Sequence, residues 1–239
     1  MQEVPVLRLM LFDRWRLLNN GQAVHVPARC QRLVTLLALR GRQTRSFLAG
    51  ALWPTVDEHR AQASLRAVMS TLNRQTPWLV RKVHDEVQLV DGISVDVDEF
   101  RTNAELVLSG HQHELPRFVE HATVIGGDLL PGWYDDWVVT ERERIHQIRL
   151  HVLEALSSQL TQRGAFAHAL VAALRAVELD PLRESARRSI IEVHLAEGNT
   201  ADAIREFERF RSILRAELHV EPTDRMIELI RQVTAHSVA

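Results

Sequence analysis

The stretch from Asp57 to Arg74, DEHRAQASLRAVMSTLNR, holds residues whose types and spacing could contact a nucleic acid. No acid follows Glu58 within it. On a helix of about 3.6 residues per turn, an apolar side opposes a face of small and basic residues. That face collects His59, Ala63, Arg66, Ala67, Ser70 and Arg74, with Arg60 on its flank. Arginine can pair with guanine in the major groove, and small residues let a helix approach closely, so this face is predicted to read DNA bases.

The alternative interpretation of this helix is an ordinary solvated face, since amphipathic helices often carry a few arginines. The distribution of charge favours DNA. Residues 1–90 contain 13 Lys+Arg and 6 Asp+Glu, whereas residues 91–239 contain 16 and 25, although the net charge of the 239 residues is only −2. Such asymmetry predicts a module that faces a polyanion, joined to a part with another task.

The elements before this helix are predicted to position it. Residues 6–12, VLRLMLF, alternate leucine with other residues, which is strand spacing, and the Asn-Gly pair at 20–21 predicts a hairpin. A helical pattern then runs from Pro27 to Gly41. Thr44 is a plausible N-cap for a short second helix, and Asp57 for the third.

A second hairpin is predicted after the third helix, with strands near 79–83 and 87–90. Together these elements form a winged helix-turn-helix domain, which we place at residues 1–100. Basic residues beside the second helix and on the hairpin could clamp the DNA backbone. They are Arg42, Arg45, Arg81, Lys82 and His84.

Residues 101–239 are predicted to form a second, all-α domain, which the acidic segment 94–103 connects to the first. Gly164 precedes Ala169 by five residues, as Gly198 precedes Ala203, and the two glycines lie 34 residues apart. That is the tetratricopeptide repeat length. The fold class is therefore mainly α with a small β component, a winged domain followed by tetratricopeptide-like helical repeats.

Catalytic, metal and cofactor sites are not indicated, and no cofactor is expected. The sequence lacks the serine-hydrolase, zinc-protease and phosphate-loop motifs. His111, His113 and His121 have no cysteine or paired carboxylate at ligand spacing, so a solvated loop is favoured over a metal site. The aromatic cluster GWYDDW could cage a ligand, but such clusters more often anchor a helix start, with Asp135 or Asp136 at its positive end.

The chain is expected to be cytoplasmic, with no membrane segment. Apolar runs break well before the about 18 residues that suggest a membrane span, and no signal peptide is recognised at the N-terminus. The single cysteine, Cys30, cannot form a disulfide framework, and it lies on the apolar side of the first helix.

Residues 4–100 resemble the OmpR-type winged helix of SARP-type regulators (Streptomyces antibiotic regulatory proteins). The matching pieces are LRLMLF, QRLVTLLALRG, FLAGALWP, RAQASLRAVMSTLNR and VDVDEF. Residues 101–239 resemble the bacterial transcriptional activator domain that follows in that family. The clearest marker there is GDLLPGWYDDWVVTERERI.

The resemblance implies a transcription activator that binds direct repeats of double-stranded DNA near a promoter and contacts RNA polymerase. Residues 58–73 would be its recognition helix and residues 79–90 its wing. The loop WPTVDE would lie where related winged helices can touch polymerase. The second domain would mediate self-association, as in a homodimer, or contact other proteins, or merely pack on the winged helix or a second copy.

Two features depart from the family pattern. Asp85 and Glu86 lie in the wing, where they would repel phosphate unless they point away. Gly50 interrupts the second helix at a cost of about 1 kcal/mol relative to alanine. A rival interpretation therefore remains: a helical-repeat scaffold whose winged domain is a protein-interaction module that does not bind DNA.

Overall fold

The computed structural model describes residues 6–110 and 127–236. The strands are β1 Leu7–Met10, β2 Arg16–Asn19, β3 Gln22–Val24, β4 Gln43–Thr44, β5 Val80–Val83, β6 Glu86–Leu89 and β7 Ser94–Val95. The helices are α1 Ala28–Arg40, α2 Arg45–Leu52, α3 Glu58–Gln75, α4 Asp96–Leu108, α5 Asp136–Gln162, α6 Phe166–Leu179, α7 Glu184–Glu197, α8 Thr200–Leu218 and α9 Asp224–His236.

The described residues form two compact units. The first unit combines residues 6–102 with residues 127–142, and the second combines residues 103–110 with residues 143–236. The first unit contains strands and helices, whereas the second contains helices alone. This agrees with the predicted fold class, a winged domain with a small β component and an all-α repeat domain.

The first unit begins with a four-stranded sheet in the order β3-β2-β1-β7. The predicted hairpin joins β2 to β3, and Asn20 and Gly21 at its turn both have positive φ, which this type of tight turn requires. Alternate residues Leu7, Leu9 and Leu11 are buried, as the strand spacing predicts.

Three helices and a second sheet complete the winged part. Thr44 caps α2 by accepting a hydrogen bond from the Phe47 N–H, and Asp57 caps α3 by accepting one from the Arg60 N–H. Both caps agree with the sequence prediction. The β5–β6 hairpin takes the predicted place of the wing and pairs with β4, in the order β4-β6-β5.

The segment 94–103 is more than the acidic connector predicted from the sequence. It forms β7, which pairs in parallel with β1, and then the beginning of α4. The Asp96 carboxylate ties the two together, since its Oδ2 accepts hydrogen bonds from the N–H groups of Leu11 (2.8 Å) and Phe12 (3.0 Å).

Residues 127–142 return to the first unit although they lie beyond the division predicted at residue 100. The Leu130 N–H donates to the Leu11 carbonyl, and the Arg142 guanidinium donates to the carbonyls of Leu129, Leu130 and Trp133. The aromatic cluster does precede a helix start, because α5 begins at Asp136.

The second unit contains the predicted helical repeat. Gly164 and Gly198 both have positive φ at inter-helix turns. Ala169 and Ala203 are both fully buried, because the helix carrying each packs closely on its neighbour. A buried ion pair between Arg187 and Glu206, 2.6 Å apart, joins α7 to α8.

Candidate nucleic-acid interface

Helix α3 is fixed to the first unit by one apolar side. Its buried residues are Ala61, Leu65, Val68, Met69 and Leu72, which are the residues that helical periodicity places on one side. Leu65 is 1% exposed and packs in a core that also contains fully buried leucines of α1 and α2. This packing fixes which side of α3 faces outward.

The outward side of α3 carries the residues predicted to read DNA. All of them are exposed: His59, Arg60, Ala63, Arg66, Ala67, Ser70 and Arg74. Three of these positions carry short side chains, those of Ala63, Ala67 and Ser70. The longer side chains of Arg66 and Arg74 therefore extend further from the helix than these neighbours. The helix thus presents an acid-free face to solvent. A major groove is wide enough to admit an α-helix.

Arg60 differs from the other two arginines of this face. Its guanidinium Nε lies 3.3 Å from the Asp57 carboxylate, the same group that caps α3. Both side chains are largely exposed, so the pair contributes little to stability. It does place a negative charge beside Arg60, whereas Arg66 and Arg74 take part in no ion pair among the described residues.

Two acids of the hairpin region, Glu86 and Asp91, form ion pairs with arginines. Glu86 lies 2.9 Å from Arg42, because the antiparallel pairing of β4 with β6 sets Thr44 opposite Glu86. Asp91, which the sequence interpretation did not consider, pairs with Arg81. Two of the cations predicted to clamp the DNA backbone are therefore partly neutralised within the hairpin.

The remaining backbone candidates lie beside α3. Arg45 and Lys82 line one cleft of about 380 Å³ together with Arg66 and Ser70. His84 occupies the hairpin turn with a φ of 58°, which is the left-handed region, and its side chain is exposed. The structure thus brings together Arg45, Arg66 and Lys82.

Gln62 and Asn73 also line this cleft, and the sequence interpretation missed them. Their spacing from Arg66, four residues before and seven after, is that of one helix side, so a signal was present. Both side chains can donate and accept hydrogen bonds, which suits contact with phosphate oxygens or base edges.

Cys30 lies under the opposite flank of α3. It is 1% exposed, its Sγ lies 3.8 Å from the Val68 carbonyl oxygen, and burial raises the pKa of its thiol. A buried thiol with a raised pKa is a poor nucleophile at neutral pH, which agrees with the predicted core position.

A family described as the bacterial transcriptional activator domain matches residues 95–234, more than half of the chain. The chain belongs to the bacterial transcriptional activator domain family. This family is regulatory and is not an enzyme family. Its matched region begins at Val95, so α3 and the cationic cleft lie before the activator domain.

Two known proteins resemble this family member over nearly its whole length. Regulatory protein AfsR of Streptomyces coelicolor is 24% identical over 243 residues, which cover 97% of this chain and 24% of AfsR. The chain therefore spans about a quarter of the length of that curated relative. Together with the family match, this similarity confirms the resemblance to SARP-type regulators.

A solved structure of Mycobacterium tuberculosis EmbR, in complex with a low-affinity phosphopeptide, has a similar fold. The TM-score is 0.77 at 15% identity, and the match covers 98% of this chain and 66% of that one. At this identity the likeness establishes the fold alone, a winged domain with a helical domain.

Within residues 6–110 and 127–236, no group of three His, Cys, Asp or Glu side chains is placed to hold a metal ion. His111, His113 and His121 lie outside those ranges. No helix in the described part of the chain combines the length and apolar character needed to cross a bilayer.

Proposed function

We propose that this chain is a sequence-specific DNA-binding regulator of transcription. The observation that carries the proposal is the outward face of α3, which is exposed, low and free of acids from His59 to Arg74. In winged domains a helix held in this way can enter the major groove. Arg66 would pair bidentately with a guanine, while Ala63, Ala67 and Ser70 allow the backbone to approach the base edges.

The other cations position the duplex and carry no sequence information. Arg45 and Lys82 are the first choices among the backbone candidates, since neither has an ion-pair partner among the described residues. We add Arg74, which is equally unpaired and lies at the C-terminal end of the base-reading face. Arg42 and Arg81 contribute less, because Glu86 and Asp91 hold them in the hairpin. Arg60 competes with Asp57 in the same way.

The finer parts of the proposal rest on the family. As a SARP-type regulator the protein would activate transcription, bind direct repeats near a promoter and contact RNA polymerase. The loop between α2 and α3, residues 53–57, is the surface we assign to polymerase. The helical unit would support self-association as a homodimer or contact with another protein, since helical repeats present extended binding surfaces.

Two ion pairs favour an alternative function, that of a protein-interaction module. The ion pairs Arg42–Glu86 and Arg81–Asp91 withdraw positive charge from the wing, as expected of a winged domain that binds protein. In that case the chain is a helical-repeat scaffold without DNA affinity.

The deciding experiment is a selection of random duplexes on the purified full chain at moderate salt. We expect enrichment of a short motif, repeated as a direct repeat, that is lost with Arg66→Ala. Arg205→Ala is the matched control, because Arg205 is an exposed arginine of α8 that pairs with Asp202. No enrichment at any salt concentration would favour the scaffold.

A further inference from the structure

A second cleft lies on the other flank of α3, between the start of α1 and the end of α2. We call it the α1–α3 cleft. Its volume is about 540 Å³, which lies within the range typical of small-molecule binding sites. Its apolar lining consists of Pro27, Ala28, Leu52, Trp53, Ala67 and Val68.

The charged part of the α1–α3 cleft is basic. Arg29 and Arg32 of α1 line it, and none of the described residues that line it is an acid. Arg32 pairs with Asp135, whereas Arg29 forms no ion pair among the described residues. Arg29 therefore leaves the cleft with a positive charge that no described acid balances.

The first turn of α1 adds to this positive charge. The helix begins at Ala28 without a side-chain cap and without an acid in its first turn. The first N–H groups of a helix have no partner within it and form the positive end of its dipole, where cationic side chains are unfavourable. A bound anion would lower the free energy of this arrangement.

Arg32 supplies a second sign that a ligand belongs here. Although its terminal nitrogen pairs with Asp135, its Nε is buried without a hydrogen-bond partner among the described residues. A buried charged donor without an acceptor is costly, and an anionic oxygen in the cleft is a suitable acceptor.

We propose that the α1–α3 cleft binds a small organic acid, a molecule with an apolar ring and one anionic group. The ring lies against Trp53 and Val68, and the anionic group faces Arg29 and the first turn of α1. Mostly apolar walls with a few convergent polar groups are usual for such sites. A phosphate group alone leaves the apolar wall unfilled, so the cleft is assigned to an organic acid.

Occupancy of the α1–α3 cleft opposes DNA binding. Ala67 lines the cleft and also belongs to the base-reading face of α3. An occupant against Ala67 brings its volume and its negative charge to the surface that α3 presents to a duplex. This regulatory part rests on the proposed function. Because linkage is reciprocal, DNA weakens the binding of the acid by the same factor as the acid weakens the binding of DNA.

The first experimental arm uses no DNA. Anilinonaphthalene sulfonate, an aromatic body with one sulfonate, is titrated with the full chain, and its fluorescence is followed. We expect saturable binding of one probe per chain that Ser64→Phe abolishes, because Ser64 lines the cleft and phenylalanine fills it. Gln62→Phe is the matched control and should bind the probe, because Gln62 is half-buried on α3 but lines the other cleft.

The charge of the α1–α3 cleft is tested with a second pair of variants. Arg29→Gln should raise the Kd of the probe roughly tenfold, through the loss of one charge-assisted contact. Phenylnaphthylamine, which lacks the sulfonate, should bind the wild type and Arg29→Gln alike. Arg8→Gln is the matched control and should bind the probe like the wild type, since Arg8 is an exposed arginine of β1 that pairs with Glu99.

Competition identifies the class of occupant. Naphthoate should displace the probe at lower concentration than inorganic phosphate, because only naphthoate fills the apolar part of the cleft. The reverse order would make the cleft a contact for a phosphate group and would overturn the proposal.

The second arm measures the Kd of a selected duplex with and without saturating probe. We expect the probe to weaken binding of the duplex several-fold in the wild type and not in Ser64→Phe. If the wild type binds the duplex equally in both conditions, the regulatory part is wrong and the site stands.

The two arms separate failure of the α1–α3 site from failure of the proposed function. Probe binding that both Ser64→Phe and Arg29→Gln leave unchanged would show that the site is wrong, whatever the result with DNA. If the wild type binds no DNA, the proposed function fails, and the probe titrations alone decide the site. Arg29 is exposed, so its variant tests the proposal even if Ser64→Phe folds poorly.

Discussion

Arg66 stands on the α3 face between Ala63, Ala67 and Ser70, with no acid along that face to hold it. We predict that Arg66→Ala costs about 1–3 kcal/mol of binding free energy on the preferred duplex and relaxes specificity at one base position. Fluorescence anisotropy on the preferred duplex and on single-base variants measures both effects. An equal loss on all duplexes would show that Arg66 contacts only the backbone.

The half-buried Asp96 carboxylate of the first unit stabilises the fold through two hydrogen bonds. Its Oδ2 accepts from two backbone N–H groups, and that of Leu11 belongs to a fully buried residue. Asp96→Ala leaves these donors without a partner and should lower the free energy of unfolding by about 1–3 kcal/mol. Asp96→Asn retains an acceptor and should lose less. Chemical denaturation of both variants provides the comparison.

The same carboxylate predicts a pH dependence. Burial raises the pKa of Asp96, while hydrogen bonds from Phe12 and Leu11 oppose the rise. A raised pKa means that the folded protein binds this proton more tightly than the unfolded chain. The contribution of Asp96 to the free energy of unfolding therefore falls as the pH rises above about 4, the pKa of an aspartate in the unfolded chain. The deficit of Asp96→Asn should therefore shrink as the pH rises from acid toward neutral. A deficit that grows over that range would contradict the assignment.

Site residues were predictable from the sequence wherever a local pattern fixes them. Helical periodicity correctly separated Leu65 and Met69 from Arg66 and Ser70 on α3. The pairing of Arg42 with Glu86 was not predictable, because it depends on the register of β4 against β6 across more than forty residues. The roles of these residues in DNA binding remain predictions.

At the scale of elements, α2 tests the cost of a helical glycine. Gly50 lies inside α2, has no positive φ, and an added Cβ would meet no atom within 4 Å. Gly50→Ala should therefore raise the free energy of unfolding by about 0.5–1 kcal/mol, because alanine has the higher helix propensity. Thermal or chemical denaturation measures the change.

Gly41 is the matched control for that substitution. It also has open space around it, but it ends α1 with a φ of 69°. Gly41→Ala places a side chain in the left-handed region and should destabilise the protein. If both substitutions changed the free energy of unfolding in the same direction, backbone conformation would not decide the effect of alanine at these positions.

The elements that the sequence predicted depend on contacts between residues close in the chain, whereas the elements that it missed depend on contacts between distant segments. Thr44 and Asp57 were predicted as caps because the bond each makes spans only three residues. The short strands β4 and β7 were missed, since two-residue strands exist only through pairing with distant segments. The return of residues 127–142 to the first unit has the same cause: no local pattern encodes where a segment docks.

At the scale of the whole molecule, charge predicts the salt dependence of DNA binding. Arg45, Arg74 and Lys82 are the unpaired backbone candidates, so we expect a slope of log K on log salt of about −2.7 per protomer. A slope near −4.5 would instead show that the pairs Arg42–Glu86 and Arg81–Asp91 open on binding and release two further cations.

The return of residues 127–142 has a consequence for how such regulators can be recombined. The first unit is encoded by two separate pieces of the gene, so a crossover near codon 100 transfers the α3 face without the Leu130 and Arg142 hydrogen bonds that complete this unit. A chimera joined there pairs the sheet of one parent with the docking segment of another. Exchange of an intact first unit between relatives therefore requires breakpoints after residue 142, or the coordinated inheritance of both pieces.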